Sequence, residues 1–220
     1  MKRILASLAT AFMAVALLSA QENTGIPADV FYLMPKAGKG TVIFRDKAPA
    51  QGTFNICAVD NTIRYKDKDG TELAVEADAS IRRVIIDGVT FLNDNNVFVR
   101  LYPVADGVSL AVKRDILLMT DSKAAGYGME SQTTAVSTVS GLSQDKVYTF
   151  EESRNVPYRM NQSVSLCRDE QLMALSRRNL VKCFPAAKAE IEAYFSEHKK
   201  LDDKDVDALV ALCKAWSEVK

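Results

Sequence analysis

Four groups of side chains in this chain have the types and spacing that chemistry could use. The first is the stretch YKDKDGTELAVE, Tyr65 to Glu76, where Asp67, Asp69 and Glu76 surround Gly70. A calcium loop between helices needs oxygen ligands at its first, third and fifth positions, glycine at the sixth and a bidentate Glu at the twelfth. With Gly70 as the sixth, Asp67, Asp69 and Glu76 fall on the third, fifth and twelfth, but the first falls on Tyr65, which does not serve. The flanks NTIRYK and TELAVE alternate as strands, so the stretch reads as a hairpin turn and not as a metal loop.

The second group is the cysteines, Cys57, Cys167, Cys183 and Cys213. None forms a Cys-x-x-Cys pair, which argues against a soft tetrahedral zinc site. Cys183 and Cys213 fall on apolar positions of helical stretches, where buried free thiols are at home; if bridges form, the environments favour Cys57–Cys167 with Cys183–Cys213, the latter stapling the C-terminal segment. Cys57 and Cys167 share alternation rows with polar residues such as Asn55 and Ser165. The third group is His198 alone, the single histidine, placed in SEHKK at the end of a helical stretch where the helix dipole suits it. One histidine removes every multi-histidine metal centre, and no Gly-x-Ser-x-Gly elbow accompanies it. The fourth is the carboxylate pairs Glu151-Glu152 and Asp202-Asp203, which read as a solvated loop and a helix cap, although a carboxylate hydrolase stays open as a third choice. No catalytic residue, cofactor site or metal site is assigned.

The elements that position these groups follow from periodicity. Between Thr41 and about Val112 the apolar residues alternate with period two: Phe54 and Ile56; Ile63 and Tyr65; Val97, Val99 and Leu101; Val108, Leu110 and Val112. Short turn signals separate the runs, including Asp87-Gly88 and Asp106-Gly107, and connections this short make neighbouring strands antiparallel. VYTF and YRMNQSVSL add two strands. After Cys167 the period becomes helical, with Ser176 as N-cap of LSRRNLVKCF, Pro185 as a break, a stripe of Ala187, Ile191, Tyr194 and Phe195, and Asp202 or Asp203 capping a last helix. The expected fold is therefore α+β: an antiparallel β-meander of about 8–10 strands, barrel-like or a sandwich, followed by a C-terminal cluster of two to three short helices.

The ends set the compartment. MKRILASLATAFMAVALLSA has a basic start, an apolar run too short to span a bilayer and a small-residue end, the layout of a secretory signal peptide with cleavage expected after Ala20. Without Lys2 and Arg3 the chain holds 26 basic and 28 acidic side chains, a balance that gives no reason to expect nucleic acid or an anionic membrane surface as partner. The expected division is residues 1–20 as leader, 21–167 as β domain with a mobile Ser/Thr/Ala/Gly-rich loop at 121–146, and 168–220 as a helical tail packed on the sheet. Within that loop Tyr127, between Gly126 and Gly128, could present an anchor to a partner.

GTVIFRDKAPAQGTFNICAVDNTIRY, VIIDGVTF, the GYG in the small-residue loop and NLVKCFPAAKAEIEAYFSEHKKLD resemble an uncharacterised family of signal-peptide-bearing secreted proteins from anaerobic Gram-negative bacteria. The resemblance implies a strand-rich region ending in a helical tail, and an exported location in the periplasm or outside the cell. It implies no activity. The expected function is an exported non-enzymatic protein that binds another protein or a cell-envelope component. The alternative is a small barrel-like carrier of an apolar ligand. A carrier calls for an apolar cavity of several hundred Å³, and a docking protein for an exposed apolar patch.

Overall fold

The computed structural model describes residues 25–119 and 148–219. The leader at 1–20, the loop at 121–146 and its Tyr127 all lie outside the described residues. One helical turn, α1 (Ala28–Phe31), precedes eight strands: β1 (Gly38–Phe44), β2 (Ala50–Ile56), β3 (Thr62–Lys66), β4 (Glu72–Glu76), β5 (Ile81–Ile86), β6 (Val89–Asp94), β7 (Val97–Ala105) and β8 (Val108–Leu118). A second turn, α2 (Phe150–Ser153), leads to β9 (Tyr158–Arg168) and β10 (Gln171–Ala174), and α3 (Arg177–Cys183), α4 (Lys188–Glu197) and α5 (Val206–Ser217) close the chain.

The strands form one sheet in the order β10-β9-β8-β7-β6-β5-β1-β2-β3-β4, with every pairing antiparallel. It is not closed, so β4 and β10 are edges. The meander is as expected from the alternation. Its turns take the backbone that two-residue hairpins require: Asp87 and Gly88, and Asn95 and Asn96, all have positive φ. The stretch at Asp67–Gly70 is likewise a turn, in which Asp67 Oδ1 accepts the N–H groups of Asp69 and Thr71 at 2.9 Å each.

Register divides the side chains into two rows. Val42, Val84, Phe91, Leu110 and Leu166 lie on one face, called inner here. That face carries two apolar cores. One gathers Phe54, Ile56, Ile63, Val84, Phe91 and Phe98 with Ile116 and Leu118 from the far end of β8, so the sheet curls on itself. The other joins Val104, Leu110 and Leu166 to Leu180, Ile191, Leu209 and Trp216 of the helices, with α5 lying on β7 and α3 on β9. The helical cluster thus covers one end of the inner face, and a smaller apolar group, Leu92, Val99, Ala111 and Cys167, lies on the outer face.

Three sequence expectations need correction. The described residues of VYTF, 148–150, are not strand: Phe150 begins a helical turn, because Thr149 accepts the Glu152 N–H and the Glu151–Glu152 pair suits a helix N-terminus. The segment after Cys167 does not pass straight into helix, since β10 first pairs with β9 through a turn at Asp169–Glu170. The cap of α5 is Asp205, which accepts the Ala208 N–H at 2.9 Å, and not Asp202 or Asp203. Ser176 does cap α3 as expected.

Candidate functional site: the β4 edge and the arginine beneath it

The densest grouping of charged and polar side chains lies at the β4 end of the sheet. Alternation puts Arg64 of β3 on the outer face, directly opposite Ala74 of β4, with Glu72 two residues along. Tyr32 forms a bridge with Cys57 just beyond β2, which puts both on the same face. The Arg64 side chain is only 2% exposed. It is paired with Asp60, lies 3.7 Å from Glu72 and donates to the Tyr148 carbonyl at 2.8 Å. Asp60 also accepts the Tyr148 N–H and the Thr62 hydroxyl and N–H. Glu72 accepts the Tyr32 hydroxyl at 3.3 Å. A buried guanidinium needs this enclosure, because an unpaired buried charge costs several kcal/mol, roughly.

The electrostatics make this a holding device. Burial, helped by the Asp60 charge, pushes the Cys57 thiol up to about 12, so at neutral pH it stays protonated. Burial first, and then the Glu72 carboxylate, hold the Tyr32 phenol well above its usual range. The acids are engaged with Arg64, and the thiol and phenol beside them remain neutral. Among the described residues no group of three or more His, Cys, Asp or Glu side chains could hold a metal ion.

Above this cluster runs β4 itself. Its inner row, Leu73 opposite Tyr65 and Val75 opposite Ile63, is 37% and 40% exposed. Among the described residues the only other exposed large apolar side chain is Met160 on β9. Its outer row carries Glu72 and Glu76. The strand is thus anchored from below through Glu72, while its outward backbone edge has no neighbour in the sheet among the described residues.

The residues singled out in the sequence lie elsewhere. All four cysteines are free thiols. Cys183 and Cys213 share the helical core, close enough that Cys183 raises the Cys213 thiol beyond the large effect of burial, to about 12. Cys57 and Cys167, which share alternation rows with polar residues, belong to different apolar groups and are both buried. His198 ends α4, exposed, with Nδ1 3.1 Å from the Tyr194 carbonyl and its ring stacked at 4.4 Å on that tyrosine. The Arg64 cluster was missed in the sequence, although a lone arginine inside TIRYK between two apolar neighbours was a usable sign.

An open cleft of about 310 Å³ lies at the other side of the sheet, lined by Arg45, Ala79, Asn93, Asn95 and Asn96. Arginine and asparagine side chains supply most of its lining residues, without the aliphatic and aromatic wall that a carrier for an apolar ligand calls for. Among the described residues no helix is long and apolar enough to cross a membrane. No family model, no curated protein and no solved structure matches this chain.

Proposed function

We propose that this is an exported protein without catalytic activity that binds another protein, and that β4 takes an extended segment of that partner as an added strand. The observation that carries the reading is β4: a strand whose outer edge has no strand neighbour among the described residues, with two exposed aliphatic side chains on one row and two glutamates on the other. Such an edge is a template for β-addition, in which the main chain supplies affinity and alternate side chains supply selection.

Charge selects the occupant. A second copy added antiparallel and centred on Ala74 sets Glu72 against Glu76 of its mate, and like charges directly opposite are destabilising. A segment with Lys or Arg on the row facing Glu72 and Glu76, and aliphatic residues on the row facing Leu73 and Val75, satisfies both. The partner is therefore a protein segment of basic, alternating character. Export rests on the leader-like start and on the resemblance to secreted proteins. The non-catalytic reading draws support from the protonated Cys57, the neutral Tyr32 and the exposed helix-end His198. The carrier alternative loses ground because Phe31, Phe91, Phe98 and their aliphatic neighbours fill the inner core.

The test uses a synthetic peptide of alternating lysine and valine, read by hydrogen exchange. It should slow exchange of the β4 amides, whereas a peptide of alternating glutamate and valine should not. Leu73→Lys with Val75→Lys should abolish the protection while circular dichroism stays unchanged. Equal protection by both peptides, or by neither, overturns the proposal.

A further inference from the structure

A second feature lies on the inner face, away from β4. Arg100 of β7 stands opposite Val112 of β8, and Arg114 lies two residues further along β8, so the two arginines are diagonal neighbours on one face. Diagonal pairs of this kind are about 7–8 Å apart, within reach of long side chains. Both are partly buried. Among the described residues they are the only partly buried or buried arginines without an acidic partner: Arg64 has Asp60 and Glu72, and Arg83 has Glu170.

The surroundings confirm the lack of a counter-charge. Lys113 and Asp115, on either side of Arg114 in sequence, point to the opposite face and pair with each other at 2.9 Å. Gln162 of β9 stands opposite Arg114, and it meets the chain before α5 through the carbonyl of Asp203, not through a carboxylate. The Arg100 guanidinium stacks 4.7 Å from the Tyr102 ring, but this contact leaves its in-plane N–H groups unused, and Arg100 Nε is buried with no hydrogen-bond partner. Burying the Arg100 donor without an acceptor is costly, and the partly buried Arg114 charge diagonal to it adds like-charge repulsion. Met160, 44% exposed, lies on the same face next along β9, so the strip is open to an entering group.

We propose that Arg100 and Arg114 form a binding site for a phosphate-type oxyanion, either a free phosphate or the phosphate of a lipid headgroup. Two planar guanidinium forks offer the geometry in which arginine recognises such groups bidentately. The site is independent of the β4 edge, and neither depends on the other.

The experiment has two arms. Inorganic phosphate is titrated by calorimetry, and sedimentation is measured with vesicles of phosphatidylcholine alone or mixed with phosphatidylglycerol. Saturable binding in the first arm identifies a soluble anion; sedimentation only with the anionic vesicles identifies a headgroup. In either case Arg100→Gln and Arg114→Gln should each weaken binding by about tenfold or more, the loss expected for charge-assisted hydrogen bonds. Both positions are partly exposed, so the variants should fold, and unchanged circular dichroism checks this. Absence of binding in both arms, or wild-type binding by the double variant, overturns the proposal.

Discussion

Replacing Arg64 by methionine tests the physical core of the β4 site. Methionine keeps most of the aliphatic stem and removes the charge. The magnitude follows from the partners. Removing one member of a buried pair costs about 3–5 kcal/mol, because the other charge is left uncompensated. Arg64 is 2% exposed and Asp60 11%, so this pair belongs to that class. Glu72 is 36% exposed, and its share is screened to at most about 1 kcal/mol. The Tyr148 carbonyl also loses a donor, although Asp60 keeps the Tyr148 N–H. The expected loss is therefore about 3 kcal/mol, a large part of the 5–15 kcal/mol typical of a domain yet survivable. Urea unfolding can be followed by fluorescence of Trp216, the single tryptophan, with circular dichroism as a second probe, since Trp216 reports the helical core. Asp60→Asn alone should cost a similar amount, and the double variant distinctly less than the sum, because it no longer buries an unpaired charge. A loss under about 1 kcal/mol for Arg64→Met, or strict additivity in the double variant, refutes the argument.

Three further outcomes follow from other parts of the molecule. At pH 8 alkylation followed by mass spectrometry should label Cys183, the least buried thiol, ahead of Cys57 and Cys213, whose protonated forms are held up to about 12; denatured, unreduced protein should show four thiols, and a count of two would instead indicate one bridge. The raised Cys57 thiol has a stability signature of definite sign: the folded state holds its proton more tightly than the unfolded chain, so the contribution is complete below about pH 9 and declines as pH rises from 9 towards 12, measured as a falling urea midpoint that Cys57→Ala should flatten. Gly40→Ala would place a Cβ 2.5 Å from the Ile85 carbonyl oxygen, a backbone atom in the partner strand, so the β1–β5 pairing must shift and stability should fall by about 1–3 kcal/mol in the same unfolding assay.

The meander was legible because burial on a sheet repeats every two residues, and Phe54 with Ile56, or Leu110 with Val112, wrote that repeat plainly. The alternation in β7 was read from Val97, Val99 and Leu101, which proves to be the outer row; Phe98 and Val104 face the inner cores, so this strand is apolar on both sides. Periodicity cannot show that a strand has two buried faces when its neighbours are unknown. The turn at Asp169–Glu170 was missed for a different reason. Both residues adopt positive φ without glycine, and Glu170 is held there while its carboxylate reaches Arg82 at 2.7 Å and Arg83 at 3.0 Å across the sheet. By contrast the helical turn at Phe150 carried a readable signal, a threonine followed three residues later by glutamate, which the strand-like VYTF pattern obscured. The β4 site was out of reach because it needs an edge, and strand order is not written in any single strand.

Arginine placement ties these observations together. The inner row of β8 reads Val108, Leu110, Val112, Arg114, Ile116, Leu118, an apolar row with one cation in it. Val108 and Leu110 belong to the helical core, and Ile116 and Leu118 to the core at the other end of the face. Arg114, with Arg100 diagonal to it, therefore occupies the strip between them. A leucine at 114 would have made the row continuous and stabilised the sheet at no cost to its pairing, since strand propensity favours apolar and β-branched residues at such positions. Arg64 is the opposite case: a cation in a strand, buried almost completely, with acids and a carbonyl arranged around it. Where the fold uses an arginine as a fastener it encloses the charge with acceptors; where two stand side by side on a half-open face with no acid among the described residues, the proposed oxyanion would supply the acceptor from outside the chain.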